Sequence, residues 1–296
     1  MNWTKDEMQS QKGKLFLVTG ANTGLGYQTA LELAKKDAEV ILAGRSAEKI
    51  NAAIEQILSE YPFARLKAGI VDLSSLESVR EFATSIKAEH NKLDVLINNA
   101  GVMFPPPSLT KDGYELQFGV NYMAHFLLTA ELFDLLKNTP NSRVVTLSSI
   151  AHLNGTIDFD NLKLEKPFDK FREYGQSKVA DLIFTLELQR RLEGEELNTI
   201  SVAAHPGTSK TELLRTDNPE MWDKFPHMDP NQGAFSTLYA ATEQLEGGSY
   251  IGPNGEMERT GYPAPASIAD YAKDETIGKQ LWDYTLSELN INFLPE

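Results

Sequence analysis

The sequence predicts an α/β fold, a doubly wound parallel sheet of about seven strands with helices on both faces. The first observation is that short, nearly continuous runs of Val, Ile, Leu and Ala alternate with helical patterns, which is typical of parallel strands buried on both faces. The second is that no linker, repeat or low-complexity tract divides the 296 residues. With 41% hydrophobic and 24% charged residues, the chain has the composition of a single globular domain.

Six strand-like runs and five helical stretches follow one another along the chain. The strands are predicted at residues 15–20, 38–44, 66–73, 93–101, 142–149 and 199–207. The helices are predicted near residues 24–36, 47–60, 75–90, 113–137 and 174–193. Strands joined through helices imply right-handed crossovers. The carboxyl ends of the strands then meet at one rim of the sheet, where ligands of such folds bind.

Two segments after the sixth strand differ from the rest. Residues 208–230 are polar but include Met, Trp and Phe, so we expect a mobile flap with an apolar underside. Residues 247–272 are rich in Gly, Pro and aromatic residues, among them Tyr250 and Tyr262. We expect both segments to border a substrate pocket and to make it apolar.

Composition excludes several classes of function. The chain has no cysteine, which excludes disulfides and thiolate metal sites, and its five histidines lack the spacing of metal ligands, so we expect no metal. The formal net charge of −14 argues against nucleic acid and anionic membranes as partners. The polar start "MNWTKDEMQSQKGK" does not resemble a signal peptide, and no apolar run approaches the roughly 18 residues of a membrane span. We therefore expect a soluble, cytoplasmic protein.

The first predicted strand ends in "TGANTGLG", with glycines at Gly20, Gly24 and Gly26. Glycines at these positions allow a tight turn and the close approach of a pyrophosphate, and the following helix presents its N-terminal amides to the anion. The order of strand, turn and helix favours a dinucleotide site over a plain turn. The intervening residues expected at this site are Asn22, Thr23 and Leu25.

The end of the second predicted strand, "ILAGRS", indicates the type of dinucleotide. Where such a site often has an acid for the adenosine ribose, this chain has Gly44, and Arg45 follows. With no carboxylate to repel a 2′-phosphate and a guanidinium to pair with it, NADP(H) is the expected cofactor, unless Arg45 is a solvated surface residue. At the end of the third strand, Asp72 followed by Leu73 either contacts the adenine amino group or serves as a helix N-cap.

Further polar residues follow the fourth and fifth predicted strands. The fourth ends in "NNAG" (98–101), where Asn and Gly let the backbone pass close to a ligand. Asn121 lies inside the next helical pattern, an unfavourable position that indicates either a polar task or a satisfied buried amide. The fifth strand ends in Ser148 and Ser149. No chemical role is expected for His125, His152 and His205.

The stretch "EYGQSKVADLIF" (173–184) places Tyr174 and Lys178 on one face of a helix. An exposed pair would mean little. In a desolvated pair, an ammonium at about 5 Å stabilises the phenolate by roughly 3 kcal/mol at an effective dielectric constant of about 20, against less than ~1 kcal/mol in water. The other motifs at the same rim favour the desolvated arrangement.

Taken together, these motifs resemble those of the short-chain dehydrogenase/reductase family. "TGANTGLG", "NNAG", "YGQSK" and "HPG" match its motifs in the expected order, and the resemblance extends over roughly 14–290. "NYMAHFLLT", "SSIAH" and "HPGTSKTEL" look like the branch that contains retinol dehydrogenases and related bacterial reductases. The resemblance implies a single-domain Rossmann fold over 1–296, with a cofactor-binding core at 13–207. In contrast to many eukaryotic members of that branch, we expect no membrane anchor.

The resemblance implies a role for each matching residue. Tyr174 is expected to be the general acid/base, and Lys178 to hold the nicotinamide ribose and ease ionisation of the phenol. Ser149 is expected to bind the substrate oxygen, and Asn121 to link the lysine to a water-mediated proton relay. Cofactor contacts are also expected from Asn99, Ala100, Gly101, Pro206, Gly207 and either Thr208 or Thr211.

Two functional hypotheses remain at this point. The favoured one is an NADP(H)-dependent carbonyl reductase, or the reverse alcohol dehydrogenase, acting on an apolar small molecule. The other is a non-catalytic NADP(H)-binding sensor or interaction protein. Both a monomer and a homodimer remain open, because the 24 residues between Ser149 and Tyr174 exceed the dozen common in the family and precede a helix that many members use to dimerise.

Overall fold

The computed structural model describes residues 2–211, 213 and 226–294. The strands are β1 (Leu15–Thr19), β2 (Glu39–Gly44), β3 (Arg65–Ile70), β4 (Val95–Asn98), β5 (Arg143–Leu147), β6 (Ile200–Ala204), β7 (Tyr250–Pro253) and β8 (Pro263–Pro265). The helices are α1 (Gly24–Lys35), α2 (Ala47–Glu60), α3 (Leu76–Glu89), α4 (Leu116–Phe118), α5 (Ala124–Lys137), α6 (Lys170–Gly194), α7 (Pro230–Gly233), α8 (Phe235–Thr242) and α9 (Glu275–Leu289). Most of the predicted flap lies outside the described residues.

The strands form one sheet in the order β3-β2-β1-β4-β5-β6-β7-β8, in which only the β7–β8 pair is antiparallel. This confirms the doubly wound fold. The order of the strands reverses between β1 and β4, and such folds bind ligands at this point. The prediction of about seven strands missed the antiparallel edge. Strand β8 has three residues and begins and ends in proline, which lacks an N–H donor and is tolerated at sheet edges, so its sequence reads as a turn.

Apolar side chains fill the space on both faces of the sheet. One core lies against α3, α5, α6 and α9 and includes Phe126 and Trp282. The other lies against α1, α2 and α8 and includes Leu33 and Leu238. The strands are therefore covered on both faces, which explains their nearly continuous apolar sequences.

Two predicted helices differ from the structure in ways that matter for the site. The helix predicted at 113–137 begins at Leu116 and contains a π-helical turn, Gly119–Met123, between α4 and α5. The helix predicted at 174–193 begins four residues earlier, at Lys170, because the Asp169 carboxylate accepts hydrogen bonds from the first free N–H groups. Tyr174 therefore lies inside an established helix and not at its frayed end.

Candidate active site

A groove of about 350 Å³ crosses the carboxyl ends of the central strands at the point where the strand order reverses. It brings together most of the residues expected to hold a cofactor: Gly20, Asn22, Thr23, Gly24, Leu25, Gly26, Asn99, Ala100, Gly101, Tyr174, Lys178, Pro206 and Thr211. Three further lining residues, Val102, Leu147 and Leu213, were not expected from the sequence, whereas Ser148 was expected at this rim without an assigned role. Val102 directly follows "NNAG" and Leu147 directly precedes the two serines, so both could have been predicted from their neighbours in the sequence.

The glycine turn fits a pyrophosphate because it leaves no room for side chains. Gly20 has φ +67°, and a Cβ there would lie 2.9 Å from Ala100 Cα. A Cβ on Gly26 would lie 2.3 Å from the Gly20 carbonyl oxygen. Among the described residues that line the groove there is one ammonium, that of Lys178, and no carboxylate. In a chain of net charge −14, this local balance suits an anionic ligand.

Thr19, at the end of β1, connects the glycine turn to the loop after β4. Its Oγ1 accepts hydrogen bonds from the backbone N–H groups of Asn99 and Ala100 at 2.9 and 3.0 Å. The Asn99 side chain donates to the Thr19 carbonyl oxygen at 2.6 Å. These bonds fix the two strand ends relative to each other, so the width of the groove between them is set by the backbone.

The π-helical turn places Asn121 next to the same loop. Its side chain accepts from Val102 N at 2.8 Å and donates to Val102 O and Ser177 Oγ at 3.0 and 2.9 Å. The backbone carbonyl oxygen of Asn121 faces His125 Nδ1 at 2.7 Å, and His125 Nε2 lies 2.9 Å from Thr19 Oγ1. Asn121 is therefore a fully bonded buried amide, and π-helical turns of this kind are frequent at functional sites.

The structure shows that Tyr174 and Lys178 are buried, with 8% and 5% of their surfaces exposed. The Lys178 Nζ atom lies 6.0 Å from the centroid of the tyrosine ring and donates to Leu147 O at 2.9 Å. It also donates to Asp181 Oδ2 at 2.8 Å. Burial acts to lower the pKa of Lys178, but its interaction with the Asp181 carboxylate, followed by that with Tyr174, raises the pKa overall. The pair thus meets the condition of desolvation on which its chemistry depends.

The two serines after β5 have different positions. Ser149 begins the 3₁₀ turn Ile150–Asn154, and its Oγ accepts from Ala151 N at 3.2 Å. Ser148 is buried, and its Oγ donates to the Lys178 carbonyl oxygen at 2.7 Å. Both serines line a second cavity that also contains Tyr174, and Ser149 is the more exposed of the two.

This second cavity has a volume of about 670 Å³ and adjoins the groove at Tyr174 and Pro206. Gly207 and Thr208 line it, whereas Thr211 lines both spaces. Its rim carries three apolar side chains that are unusually exposed for their type, Leu153 at 48%, Phe171 at 56% and Met257 at 69%.

Inside the second cavity, the ring of Phe104 packs edge-on against Tyr174 at 5.4 Å between centroids. The apolar wall therefore reaches the phenol itself. The sequence did not identify Phe104 as part of the site. Its backbone has φ +54°, a conformation that aromatic residues rarely adopt, so the position of its ring could not be predicted from the residue type.

The residues expected at the adenosine end lie at the ends of β2 and β3 and do not line the groove. Arg45 is exposed and forms no ion pair with any residue that the structure describes. Asp72 is not a helix N-cap, because that position belongs to Ser75. Burial acts to raise the pKa of Asp72, but hydrogen bonds from Ser74 and the ammonium of Lys111, 3.2 Å away, lower it overall. Leu73 is part of the core.

The other histidines take no part in either cavity. His152 and His205 are buried and line neither cavity; His205 Nε2 lies 3.0 Å from Glu258 Oε2. Within the described ranges, no group of acidic and histidine side chains is arranged to hold a metal ion. Over the same ranges, no helix combines the length and apolarity that crossing a bilayer requires.

Comparison with known proteins agrees with this geometry. The family model described as short chain dehydrogenase matches residues 14–222. Retinol dehydrogenase 13 of Mus musculus is 43% identical over 286 residues, covering 91% of this chain and 82% of that protein. Retinol dehydrogenase 11 of Homo sapiens is 41% identical over 286 residues, covering 94% and 86%.

Solved structures show the same fold. A crystal structure of a protein from Mycobacterium paratuberculosis superimposes with a TM-score of 0.85 and 36% identity and covers 100% of both chains. A short chain dehydrogenase from Burkholderia cenocepacia J2315, solved in complex with NADP, has a TM-score of 0.65 and 22% identity over 81% of this chain and 95% of that chain.

Proposed function

Because the chain belongs to the short-chain dehydrogenase family, we propose that it is an NADP(H)-dependent oxidoreductase that interconverts an apolar ketone or aldehyde and the corresponding alcohol. The observation that carries this proposal is the position of Tyr174 at the junction of two spaces. One is a groove suited to a dinucleotide, which contains Lys178, and the other is an apolar cavity, which contains Ser149. A proton donor at such a junction can serve a reaction between a bound cofactor and a bound carbonyl.

The residues that would hold the cofactor follow from the shape of the groove. The turn from Gly20 to Gly26 and the N-terminus of α1 would bind the pyrophosphate, and Lys178 would bind the nicotinamide ribose. The ends of β2 and β3 would receive the adenosine. Arg45 would pair there with a 2′-phosphate, since Gly44 offers no carboxylate. NADP in the Burkholderia cenocepacia relative supports the same choice.

The chain's own residues supply proton transfer and orientation. When bound, the nicotinamide supplies or accepts the hydride at the carbonyl carbon. Ser149 Oγ would donate a hydrogen bond to the carbonyl oxygen, and the Tyr174 hydroxyl would give its proton to that oxygen during reduction. In alcohol oxidation the Tyr174 oxygen would take the proton back. The buried ammonium of Lys178 would stabilise the phenolate that reduction leaves.

The substrate is proposed to be bulky and apolar because of the cavity wall. Phe104, Met103 and Ile150 line its interior, and Leu153, Phe171 and Met257 form its rim. Exposed apolar side chains that are gathered around one opening often mark a site that binds an apolar ligand. The retinol dehydrogenases among the relatives support a substrate of this class.

The test is NADPH consumption with a panel of carbonyl compounds that differ in size and polarity. We expect kcat/KM to rise from short polar aldehydes to bulky aryl or long-chain carbonyls. Better turnover of small polar carbonyls would contradict the apolar substrate. NADPH binding without turnover of any carbonyl would instead support a non-catalytic binding protein.

A further inference from the structure

Asp181 is a buried carboxylate that the mechanism above does not use. It lies three residues after Lys178 on α6 and is 1% exposed. Its Oδ2 accepts a hydrogen bond from Lys178 Nζ at 2.8 Å, and its Oδ1 is buried without a hydrogen-bond partner among the described residues. A carboxylate oxygen left unpaired in a protein interior is costly, so this residue calls for an explanation.

The groups that face this ion pair come from several elements. Tyr174 is on α6, Tyr122 on the π-helical turn, His125 on α5 and Tyr250 on β7. Burial raises the pKa of Tyr122 and of Tyr250, and it lowers the pKa of His125 to about 4, so these groups are neutral near pH 7. Lys178 and Asp181 are then the charges that act on each other and on the phenol. Burial raises the pKa of Asp181 to about 7, although the ammonium of Lys178 opposes this effect.

We propose that Asp181 is a positioning residue that controls how strongly the Lys178 ammonium acts on Tyr174 and on the cofactor. The inference rests on the function proposed above. An ammonium has three donors, and the contacts with Leu147 O and Asp181 Oδ2 occupy two of them and direct the third. The ionised carboxylate also cancels part of the positive charge that stabilises a phenolate. When Asp181 takes up a proton, the ammonium acts on the groove with its full charge.

The first test compares pH profiles of kcat/KM for alcohol oxidation in the wild type and in Asp181→Asn. The amide has the same shape and retains an acceptor for Lys178, but it carries no charge. Without the opposing carboxylate the phenol ionises more easily, so the alkaline rise in activity should move to lower pH by about one unit. Superimposable profiles would overturn the proposal.

The second test measures the Kd of NADPH by its fluorescence between pH 6 and 8, which requires no turnover. At pH 8 the variant should bind NADPH several-fold more tightly than the wild type, because its ammonium is not shared with a carboxylate. At pH 6 the two should bind equally, because Asp181 is then neutral. Titration of the 2′-phosphate is common to both proteins and cancels in the ratio. A ratio of Kd values that does not change with pH would contradict the proposal.

A matched control is available on the same helix. Glu187 is buried and pairs with Arg191 at 2.7 Å, and it lines neither the groove nor the substrate cavity. Glu187→Gln should lower thermal stability and leave both pH profiles at wild-type positions; an equal shift in this control would show a merely structural effect. If Asp181→Asn does not fold, Asp181→Ser should show the same shifts. Absence of turnover in the wild type refutes the proposed function, and the Kd comparison then decides the role of Asp181.

Discussion

Tyr174 combines an apolar contact and a cationic neighbour that serve different purposes. The edge-on ring of Phe104 excludes water from one side of the phenol, and the Lys178 ammonium lies 6.0 Å from the ring centroid on another. The low local polarity makes the attraction between ammonium and phenolate stronger than it would be in water. The apolar and the cationic neighbours therefore act on the same phenol from different sides.

Tyr174→Phe should remove the proton donor and leave the packing intact, because only the hydroxyl is lost. General acid–base catalysis contributes roughly 10²- to 10⁴-fold, so we expect kcat to fall by that factor while the Kd of NADPH stays near the wild-type value. Steady-state kinetics and a fluorescence titration measure the two. The control is Tyr114→Phe, which loses a hydroxyl bonded to Glu288 at 2.8 Å outside the site. Turnover in Tyr174→Phe equal to that of the control would disprove the assignment.

The coenzyme preference should depend on Arg45. A charge-assisted contact with the 2′-phosphate is worth roughly 1.5–3 kcal/mol, or about 10- to 150-fold. We expect the wild type to prefer NADPH over NADH by at least about tenfold, and Arg45→Ala to weaken NADPH while NADH is unchanged. The measurement is the ratio of kcat/KM for the two coenzymes. Equal losses with both coenzymes would show that Arg45 does not recognise the phosphate.

Gly44→Asp should reverse the coenzyme preference by repelling the phosphate and accepting from the ribose hydroxyls. A Cβ at this position would lie 3.0 Å from Ile50 Cδ1 and 3.3 Å from Asn22 Oδ1, so part of any effect is steric. Gly44→Ala adds the same Cβ without the charge. The preference should reverse in the aspartate variant alone; a reversal in both variants would indicate crowding.

At the scale of single residues, the sequence revealed the residues whose chemistry depends on local spacing. The glycines of the turn and the Tyr174–Lys178 pair were predicted because a turn and a helix face depend on neighbours within a few positions. Asp181 stands at the same helical spacing from Lys178, but an i, i+3 pair is usually solvated. Its burial follows from elements that are distant in sequence, such as β7 with Tyr250, so no local pattern could identify it.

At the scale of elements, the connection between β1 and α5 has a polar centre. His125 Nδ1 faces the Asn121 carbonyl oxygen, so Nδ1 carries the proton and Nε2 accepts from the hydroxyl of Thr19. Asn121 lies within the π-helical turn Gly119–Met123, whose backbone hydrogen-bond pattern differs from that of a regular α-helix. The sequence predicted the helix but not this turn, because residues 113–137 read as one continuous helical pattern.

Stability should depend on His125 between about pH 6.5 and pH 4. Burial lowers the pKa of His125 to about 4 from an unfolded value near 6.5, so the unfolded chain binds the proton more readily. The neutral histidine therefore contributes stability that is present above pH 6.5 and is lost as the pH falls, on the order of 2 kcal/mol between pH 7 and pH 5. Thermal unfolding of the wild type should show this loss, and His125→Gln should show a correspondingly smaller one. Parallel slopes in the two proteins would contradict the assignment.

The elements that the sequence did not reveal are those outside the repeated strand–helix pattern. Six of the seven parallel strands were predicted because burial on both faces produces continuous apolar runs. Strands β7 and β8 and helices α8 and α9 have no counterpart among the predicted strands and helices, and β8 begins and ends in proline at the sheet edge. Their positions depend on the surfaces that they cover and not on their own sequences.

At the scale of the whole molecule, α9 covers a surface that α5 and α6 would otherwise expose. Trp282 of α9 is 1% exposed and lies between Phe126 at 4.7 Å and Phe184 at 6.0 Å, measured between ring centroids. The guanidinium of Arg191 lies 4.7 Å from the Trp282 ring. Of the 25 residues of α6, eighteen are buried within the single chain. A helix covered in this way by its own chain offers little surface for a second copy.

We therefore expect the protein to be a monomer, with Trp282 as the main attachment of α9. Light scattering at micromolar concentrations should give the mass of one chain.

Trp282→Ala removes a large side chain from a closed aromatic cluster and should lower the free energy of unfolding by about 3–5 kcal/mol. The control is Phe63→Ala, which changes a side chain that is 91% exposed and should alter stability by less than about 0.5 kcal/mol. A stable dimer would show that another surface joins two copies of the chain. A loss of stability in Trp282→Ala no greater than that in the control would show that α9 is not held by this aromatic cluster.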